Sequence, residues 1–152
     1  MPRAYTVIAT PALSAAADLF EIVAPAAGTV KLAALSIGQT TDYGDAQAEG
    51  LMLTIKRGNT TSGSGGSSAT PAPLNSSDAA AAGTYEVGNT TQATGGSPVT
   101  LWQDAVNVQA GYQFVWPAGM EPTVRNSERM VIALSAPTDP VSWSATALIV
   151  EE

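Results

Sequence analysis

The sequence contains no cysteine and no histidine. Disulfides and thiolate metal sites are therefore excluded, and the redox compartment is not indicated. The commonest general base and the best nucleophile of enzymes are absent as well. A Ser–Lys pair is conceivable, but Lys31 and Lys56 fall inside strand patterns and no serine motif accompanies them. We expect a protein that is not an enzyme and has no cofactor, no metal and no small-molecule substrate.

Charge is also scarce, since only 12% of the 152 residues are charged, about half the usual ~25%. Six basic residues against thirteen acidic ones give a net charge of −7. So few cations cannot follow a phosphate backbone, which argues against nucleic-acid binding. No apolar run reaches the roughly 18 residues that a membrane span needs, and the N-terminus does not resemble a signal peptide. We therefore expect synthesis in the cytoplasm and no membrane association.

The sequence is rich in short stretches in which apolar and polar residues alternate, separated by Gly, Pro, Asn and Thr. This pattern is typical of β-strands and turns. Nine strands are predicted, at Arg3–Ala9, Asp18–Val23, Thr29–Gln39, Leu51–Arg57, Thr84–Thr91, Val99–Gln103, Gln113–Trp116, Met130–Leu134 and Val141–Val150. Their spacing favours one all-β domain over residues 1–152, an antiparallel β-sandwich, over a βαβ fold.

Two segments interrupt the alternation. Gly58–Gly83 has no strand pattern and would be an unusually long loop, rich in Gly, Ser and Pro, that is either disordered or laid across a partner. Gly38–Gly50 is shorter and acidic, and Asp42, Asp45 and Glu49 could offer oxygen ligands to Ca²⁺. Their spacing does not match an EF-hand, so a solvated loop is the better interpretation.

Aromatic residues also allow two interpretations. Tyr112, Phe114 and Trp116 share one strand face, which predicts core positions, although an exposed row of this kind could bind a sugar. Trp143 is predicted in the core, whereas Trp102 faces away from Leu101 and is predicted at a rim or interface.

Several motifs resemble small virion-associated proteins of tailed bacteriophages. They are a Phe-Glu-x-x-Ala-Pro strand entry at Phe20, a Gln-x-x-Asp-x-Gly-Asp loop at Gln39, and Lys56-Arg57-Gly58 before the Gly/Ser segment. Asn89-Thr90-Thr91 and the terminal Val150-Glu151-Glu152 continue the resemblance. It implies a head decoration (cement) protein, a jelly-roll-like sandwich that forms a homotrimer on the capsid surface of the virion, assembled in the host cytoplasm.

The leading hypothesis is therefore a structural protein that binds the major capsid protein and stabilises adjacent capsomers. The alternative is a tail-tip, fibre or carbohydrate-binding sandwich that contacts the host. An N-terminal arm, Met1–Thr10, and the Gly58–Gly83 loop are the predicted contact segments. The residues predicted to touch the partner are Arg3, Tyr5, Arg57, Asn59, Pro71, Pro73, Leu74 and Trp102.

Overall fold

The computed structural model describes residues 1–41 and 48–152, and in these ranges the chain folds as two antiparallel β-sheets packed together. The predicted all-β sandwich is confirmed, whereas its jelly-roll-like character stays a prediction. The same ranges contain no helix long and apolar enough to cross a membrane.

All nine predicted strands are present, with ends that differ by a few residues. The strands are β1 (Arg3–Ala9), β2 (Ala12–Leu13), β3 (Ala17–Val23), β4 (Thr29–Gln39), β5 (Gly50–Arg57), β6 (Ser67–Ser68), β7 (Ala72–Pro73), β8 (Thr84–Asn89), β9 (Val99–Asn107), β10 (Tyr112–Val115), β11 (Thr123–Arg125), β12 (Arg129–Leu134) and β13 (Val141–Glu151). The four that the sequence did not predict, β2, β6, β7 and β11, have two or three residues each. Such short strands cannot show an alternation of period two.

The first sheet has the order β10-β4-β13-β1-β7, with β11 beside β4 and β2 beside β13. Its central strand β13 buries every second side chain, as the alternation predicts, including Trp143. β1 pairs with β13 over its full length, from Arg3 opposite Glu151 to Ala9 opposite Ala145. The predicted N-terminal arm is therefore wrong, because burial of alternate side chains makes most of Met1–Thr10 an integral strand.

The second sheet has the order β6-β8-β3-β12-β5-β9. Its inner face packs against the first sheet through apolar side chains such as Phe20, Ile22, Met130 and Ile132, all fully buried. β3 does not alternate in burial, since Ala17 through Ile22 are all buried. One strand can be buried on both faces only if something covers the outside of its sheet.

The Gly58–Gly83 segment is ordered against the protein's own strands. β6 pairs with β8 at the edge of the second sheet, and β7 pairs with β1 at the edge of the first. The segment thus crosses from one sheet to the other and closes this side of the sandwich. The prediction that it is disordered or laid across a partner is wrong, because two open sheet edges within its reach satisfy its backbone groups.

Candidate interaction surfaces

A short ribbon of the chain covers the outside of the second sheet over β3 and β12. Thr61 bridges to Thr94 and Ser64 to Thr91, with backbone hydrogen bonds of 2.9 to 3.1 Å between the two segments. Beneath the ribbon, Ala93 packs with the outward-facing Val131 and Ala133 in a second apolar cluster. The part of this outer face over β3 and β12 is therefore occupied by the protein itself, whereas residues of β5 and β9 such as Met52 and Thr100 stay exposed.

A buried ion pair anchors the ribbon. Glu21, with a side chain only 2% exposed, accepts a hydrogen bond at 2.5 Å from Nε of Arg129. Its other oxygen accepts from the backbone N–H of Gly63 at 2.9 Å and from Nδ2 of Asn89 at 3.1 Å. The guanidinium also donates to the carbonyl of Asn59 at 3.0 Å. These partners satisfy a buried carboxylate that would otherwise be costly, so the group serves structure.

A second buried carboxylate holds the end of the crossing segment. Glu151 accepts hydrogen bonds from the backbone N–H groups of Ala82 and Gly83, each at 2.9 Å, and from Oη of Tyr85 at 2.5 Å. Burial, followed by the nearby carboxylate, raises the pKa of Tyr85 well above its ordinary value, so the phenol remains a donor. Oη of Tyr5 donates to the carbonyl of Ala79 at 2.9 Å, which also holds the crossing segment against β1.

In contrast, the outside of the first sheet is bare and carries almost no charge. Its outward positions alternate with the core positions of β1, β4, β10 and β13. We call this surface the uncharged face; it consists of Ala4, Thr6, Ile8, Ala34, Ser36, Gly38, Gln113, Val115, Ser144, Thr146, Leu148 and Val150, all exposed or half-buried. The register aligns Val115, Ala34, Leu148 and Thr6 in one row across four strands. Lys31, paired with Glu152 at 2.7 Å, lies at its end.

An aromatic cluster closes the side of the sandwich opposite the crossing segment. There β9 and β10 are the edge strands of the two sheets. The ring centroid of Trp102 lies 4.8 Å from the centroid of Phe114 and 6.0 Å from the centroid of Trp116. Nε1 of Trp102 donates to Oη of Tyr112 at 3.2 Å, and burial raises the pKa of this phenol. The rings therefore bridge the two sheets: Trp116 is buried in the core, as predicted, whereas Tyr112, Phe114 and Trp102 are partly buried against it.

Beside these rings lies a pocket of about 410 Å³, which we call the aromatic pocket. It is lined by Arg57, Leu101, Trp102, Phe114, Trp116, Pro117, Met120, Glu121, Pro122 and Thr123. The guanidinium of Arg57 donates to the carbonyl of Thr123 at 3.1 Å and lies 3.6 Å from the carboxylate of Glu128. Met120 is 72% exposed at the rim. The pocket thus offers an apolar floor with one restrained cation at its margin.

A larger groove of about 640 Å³ lies on the other side, between β1 and the crossing segment. Gly, Ser, Thr and Ala provide most of its lining, which has no ionisable side chain. It offers no acid–base group, and its large exposed apolar side chain is Ile8 of the uncharged face.

The structure separates the eight predicted contact residues into three sets. Arg57 and Trp102 meet at the aromatic pocket. Arg3, Pro73 and Leu74 lie together at the opposite edge, where β7 joins β1. The remaining three are buried and cannot touch a partner: Tyr5, Asn59 and Pro71.

Each of these three errors has a local cause. Tyr5 occupies an inward position of β1, so its ring belongs to the core. Asn59 is 6% exposed and its amide donates to the carbonyls of Ala93 and Gly95, which holds the base of the ribbon. Pro71 is buried just before β7.

The acidic loop gives no metal site within the described ranges. Asp42 and Asp45 lie outside them, and the carboxylate of Glu49 accepts from the backbone N–H and hydroxyl of Thr138, the latter at 2.7 Å. No group of three or more potential metal-ligating side chains occurs in residues 1–41 and 48–152. Comparison with known proteins gives no match to a family model, a curated protein or a solved structure. The strongest candidate features of the described residues are therefore surfaces.

Proposed function

We propose that the chain is a structural virion protein of a tailed bacteriophage, a decoration protein that binds the outside of the head and stabilises adjacent capsomers. The observation that carries the proposal is the difference between the two outer faces. One is covered over β3 and β12 by the protein's own ribbon, whereas the other presents the uncharged face across four strands. In a chain of net charge −7, such a surface favours contact with another protein.

The size of the uncharged face suits this role. Its strands β1, β4, β10 and β13 have 7, 11, 4 and 11 residues. At about 3.4 Å per residue and about 4.8 Å between strands, they cover roughly 500 Å². A stable protein interface buries about 800 Å² per partner, so one contact of this size gives modest affinity. Many such contacts repeated over a symmetric shell would strengthen the overall binding through avidity.

The chemistry of the face is compatible with burial. Ser and Thr hydroxyls can donate and accept, so a partner's polar groups can satisfy them. No ion has to be desolvated except at the Lys31 end, where the ammonium is already paired with Glu152. The phage-like motifs noted in the sequence point the same way, toward the major capsid protein as partner and the capsid surface as location.

Co-sedimentation with heads assembled without this protein tests the proposal. We expect the native chain to sediment with the heads. Thr146→Arg, in the middle of the uncharged face, should abolish binding because it places a cation where an apolar or hydroxyl-lined partner packs. Thr100→Arg, on the exposed edge strand β9, is the matched control and should bind normally. Equal binding of both variants, or no binding by the native chain, would contradict the proposal.

A host-facing carbohydrate-binding module is the second candidate, and the aromatic pocket is the observation that favours it. The rings there do not form a flat platform, since Phe114 and Trp116 meet edge-on with centroids 5.0 Å apart. A glycan array with a Trp102→Ala variant as control separates the two candidates. Glycan signal that depends on Trp102, without head binding, would support the second.

A further inference from the structure

The outer edge of β1 is paired over only part of its length. On this edge the carbonyl of Ala4 accepts a hydrogen bond from the backbone N–H of Leu74 at 2.9 Å. Two residues along, Thr6 pairs with Ala72 of β7. The pairing ends there, because residues 69–71 connect β7 to β6 in the other sheet. β7 thus shows that this edge accepts an added strand, and it leaves the end of β1 uncovered.

Ile8 is the next residue of β1 whose backbone faces this edge. Because the backbone groups of successive residues in a strand point to opposite neighbours, the N–H and C=O of Ile8 point to the same side as those of Ala4. In the part of the chain that the structure describes, no backbone hydrogen bond joins Ile8 to another segment on this side. Its side chain is 59% exposed. β1 therefore ends in an open edge beside an exposed aliphatic side chain.

A second strand edge borders the same groove. β6 is the outermost strand of the second sheet and lies beside β8. The backbone N–H of Ala69 donates to the carbonyl of Tyr85 at 2.8 Å. The preceding residue, Ser68, therefore directs its own backbone groups away from β8. Ser68 and Ile8 both line the groove of about 640 Å³, so an extended segment in the groove would meet strand backbone on both sides.

The lining limits the side chains that such a segment can carry. Gly, Ser, Thr and Ala provide most of it, and no ionisable side chain contributes. A charged side chain that entered the groove would lose hydration without gaining an ion pair. The groove therefore fits an extended backbone with uncharged side chains.

We propose that an extended, uncharged peptide segment of a partner protein adds as a strand to the open end of β1 in this groove. Strand addition binds through main-chain hydrogen bonds, and side-chain contacts give specificity. Here the N–H and C=O of Ile8 supply main-chain bonds, and its side chain supplies an apolar contact. A second copy is disfavoured as the partner, because each copy carries a net charge of −7 and two copies repel. The proposal holds whether or not the uncharged face binds a phage head.

Hydrogen exchange of the free protein, followed by NMR, tests whether the edge is open. The amides of Val7 and Ala9 lie in the β1–β13 ladder, whereas the amide of Ile8 faces the groove. Ile8 should therefore exchange at least about 100-fold faster than its two neighbours. Equal protection of the three amides would show that the N–H of Ile8 is already bonded, and would overturn the proposal.

A short, capped peptide of alternating threonine and valine is the probe for binding. Titrated into the isotopically labelled chain, it should shift the amide signals of Ile8 and Ser68 and slow the exchange of Ile8. The same peptide N-methylated at every amide cannot donate hydrogen bonds and should bind at least about 10-fold more weakly. No binding of the unmethylated peptide at its solubility limit, or equal binding of the methylated one, would contradict strand addition.

A proline substitution tests the same hydrogen bond from the side of the protein. Ile8→Pro removes an N–H that takes no part in the β1–β13 ladder, and an edge position tolerates proline, so the fold should be retained. Peptide binding should weaken by about 5- to 100-fold, the range expected when a hydrogen-bond partner is left unsatisfied. Ile8→Val keeps the N–H and a β-branched side chain and is the matched control. Exchange of Ile8 that slows when the protein alone is concentrated would assign the edge to a second copy and would overturn the proposal.

Discussion

Asp18 should make the protein less stable at neutral pH than at mildly acidic pH. Its side chain is fully buried, and one oxygen accepts from the N–H of Ala93 at 2.7 Å. The other oxygen has no hydrogen-bond partner among the described residues. Burial raises the pKa of Asp18 from 3.8 to about 6, against smaller opposing effects of the Ala93 hydrogen bond and the charge of Lys56.

The direction of this pH dependence follows from the protons that the folded and unfolded states bind. Between pH 3.8 and about 6 the folded state holds a proton on Asp18 that the unfolded state has released. The free energy of unfolding therefore falls as pH rises through this window. A shift of about two pKa units, at about 1.4 kcal/mol per unit, corresponds to at most about 3 kcal/mol.

Asp18→Asn removes this ionisation while keeping the acceptor for Ala93. Its second group is an amide N–H₂ without an evident partner, which costs about 1 kcal/mol at any pH. We expect the variant to be slightly less stable than the native chain near pH 4 and about 1–2 kcal/mol more stable near pH 8.

Urea denaturation of both proteins at half-unit steps from pH 4 to pH 8 measures the difference directly. The difference in free energy of unfolding should rise with pH by about 2–3 kcal/mol. Asp78→Asn, outside the buried core, is the control for the effect of an Asp-to-Asn change itself. A flat or falling difference for Asp18→Asn would refute the reasoning.

Three further substitutions test the packing of the ribbon and the crossing segment by thermal or urea denaturation. Gly66→Ala should lower the free energy of unfolding by about 1–3 kcal/mol, because the added Cβ would lie 2.3 Å from the carbonyl oxygen of Val87. Gly38→Ala is the control, since nothing lies within 4 Å of its added Cβ, and it should change stability little. Equal effects of the two substitutions would contradict the close approach of Gly66 to Val87. Glu21→Ala should lower the free energy of unfolding by about 3 kcal/mol, because it leaves the partly buried Arg129 unpaired. A loss below about 1 kcal/mol would show that water replaces the carboxylate. Tyr85→Phe should lower the free energy of unfolding by about 1–2 kcal/mol, because the hydrogen bond to the carboxylate of Glu151 is lost. An unchanged free energy of unfolding would mean that this hydrogen bond does not stabilise the fold.

Strand positions are predictable because an alternation of period two is a local property. In β13, and in β5 from Leu51 to Ile55, every second residue is buried in the structure, as the alternation in the sequence predicts. β3 shows where this logic ends. Glu21 points outward, away from the core side chains Phe20 and Ile22, but the ribbon covers that face and buries it.

The candidate surfaces are only partly predictable. Trp102 and Arg57, both predicted as contact residues, do line the aromatic pocket, but Met120 gives no signal because it lies in a turn without periodicity. The uncharged face could be found only by reading the outward residues of β1, β4 and β13 together. That step requires knowing which strands are neighbours.

The all-β class and the places of the main strands follow from the sequence, because an alternation of period two depends on neighbours two residues apart. Three features emerge only in the folded protein: the course of Gly58–Gly83, the partner of Glu21 and the contact between β9 and β10. The first two join residues far apart in the chain, as Glu21 and Arg129 are, separated by 108 positions. β9 and β10 are close in the chain but belong to different sheets. Such contacts are selected by which edges and buried charges remain unsatisfied once the sheets have formed, and no local pattern records that.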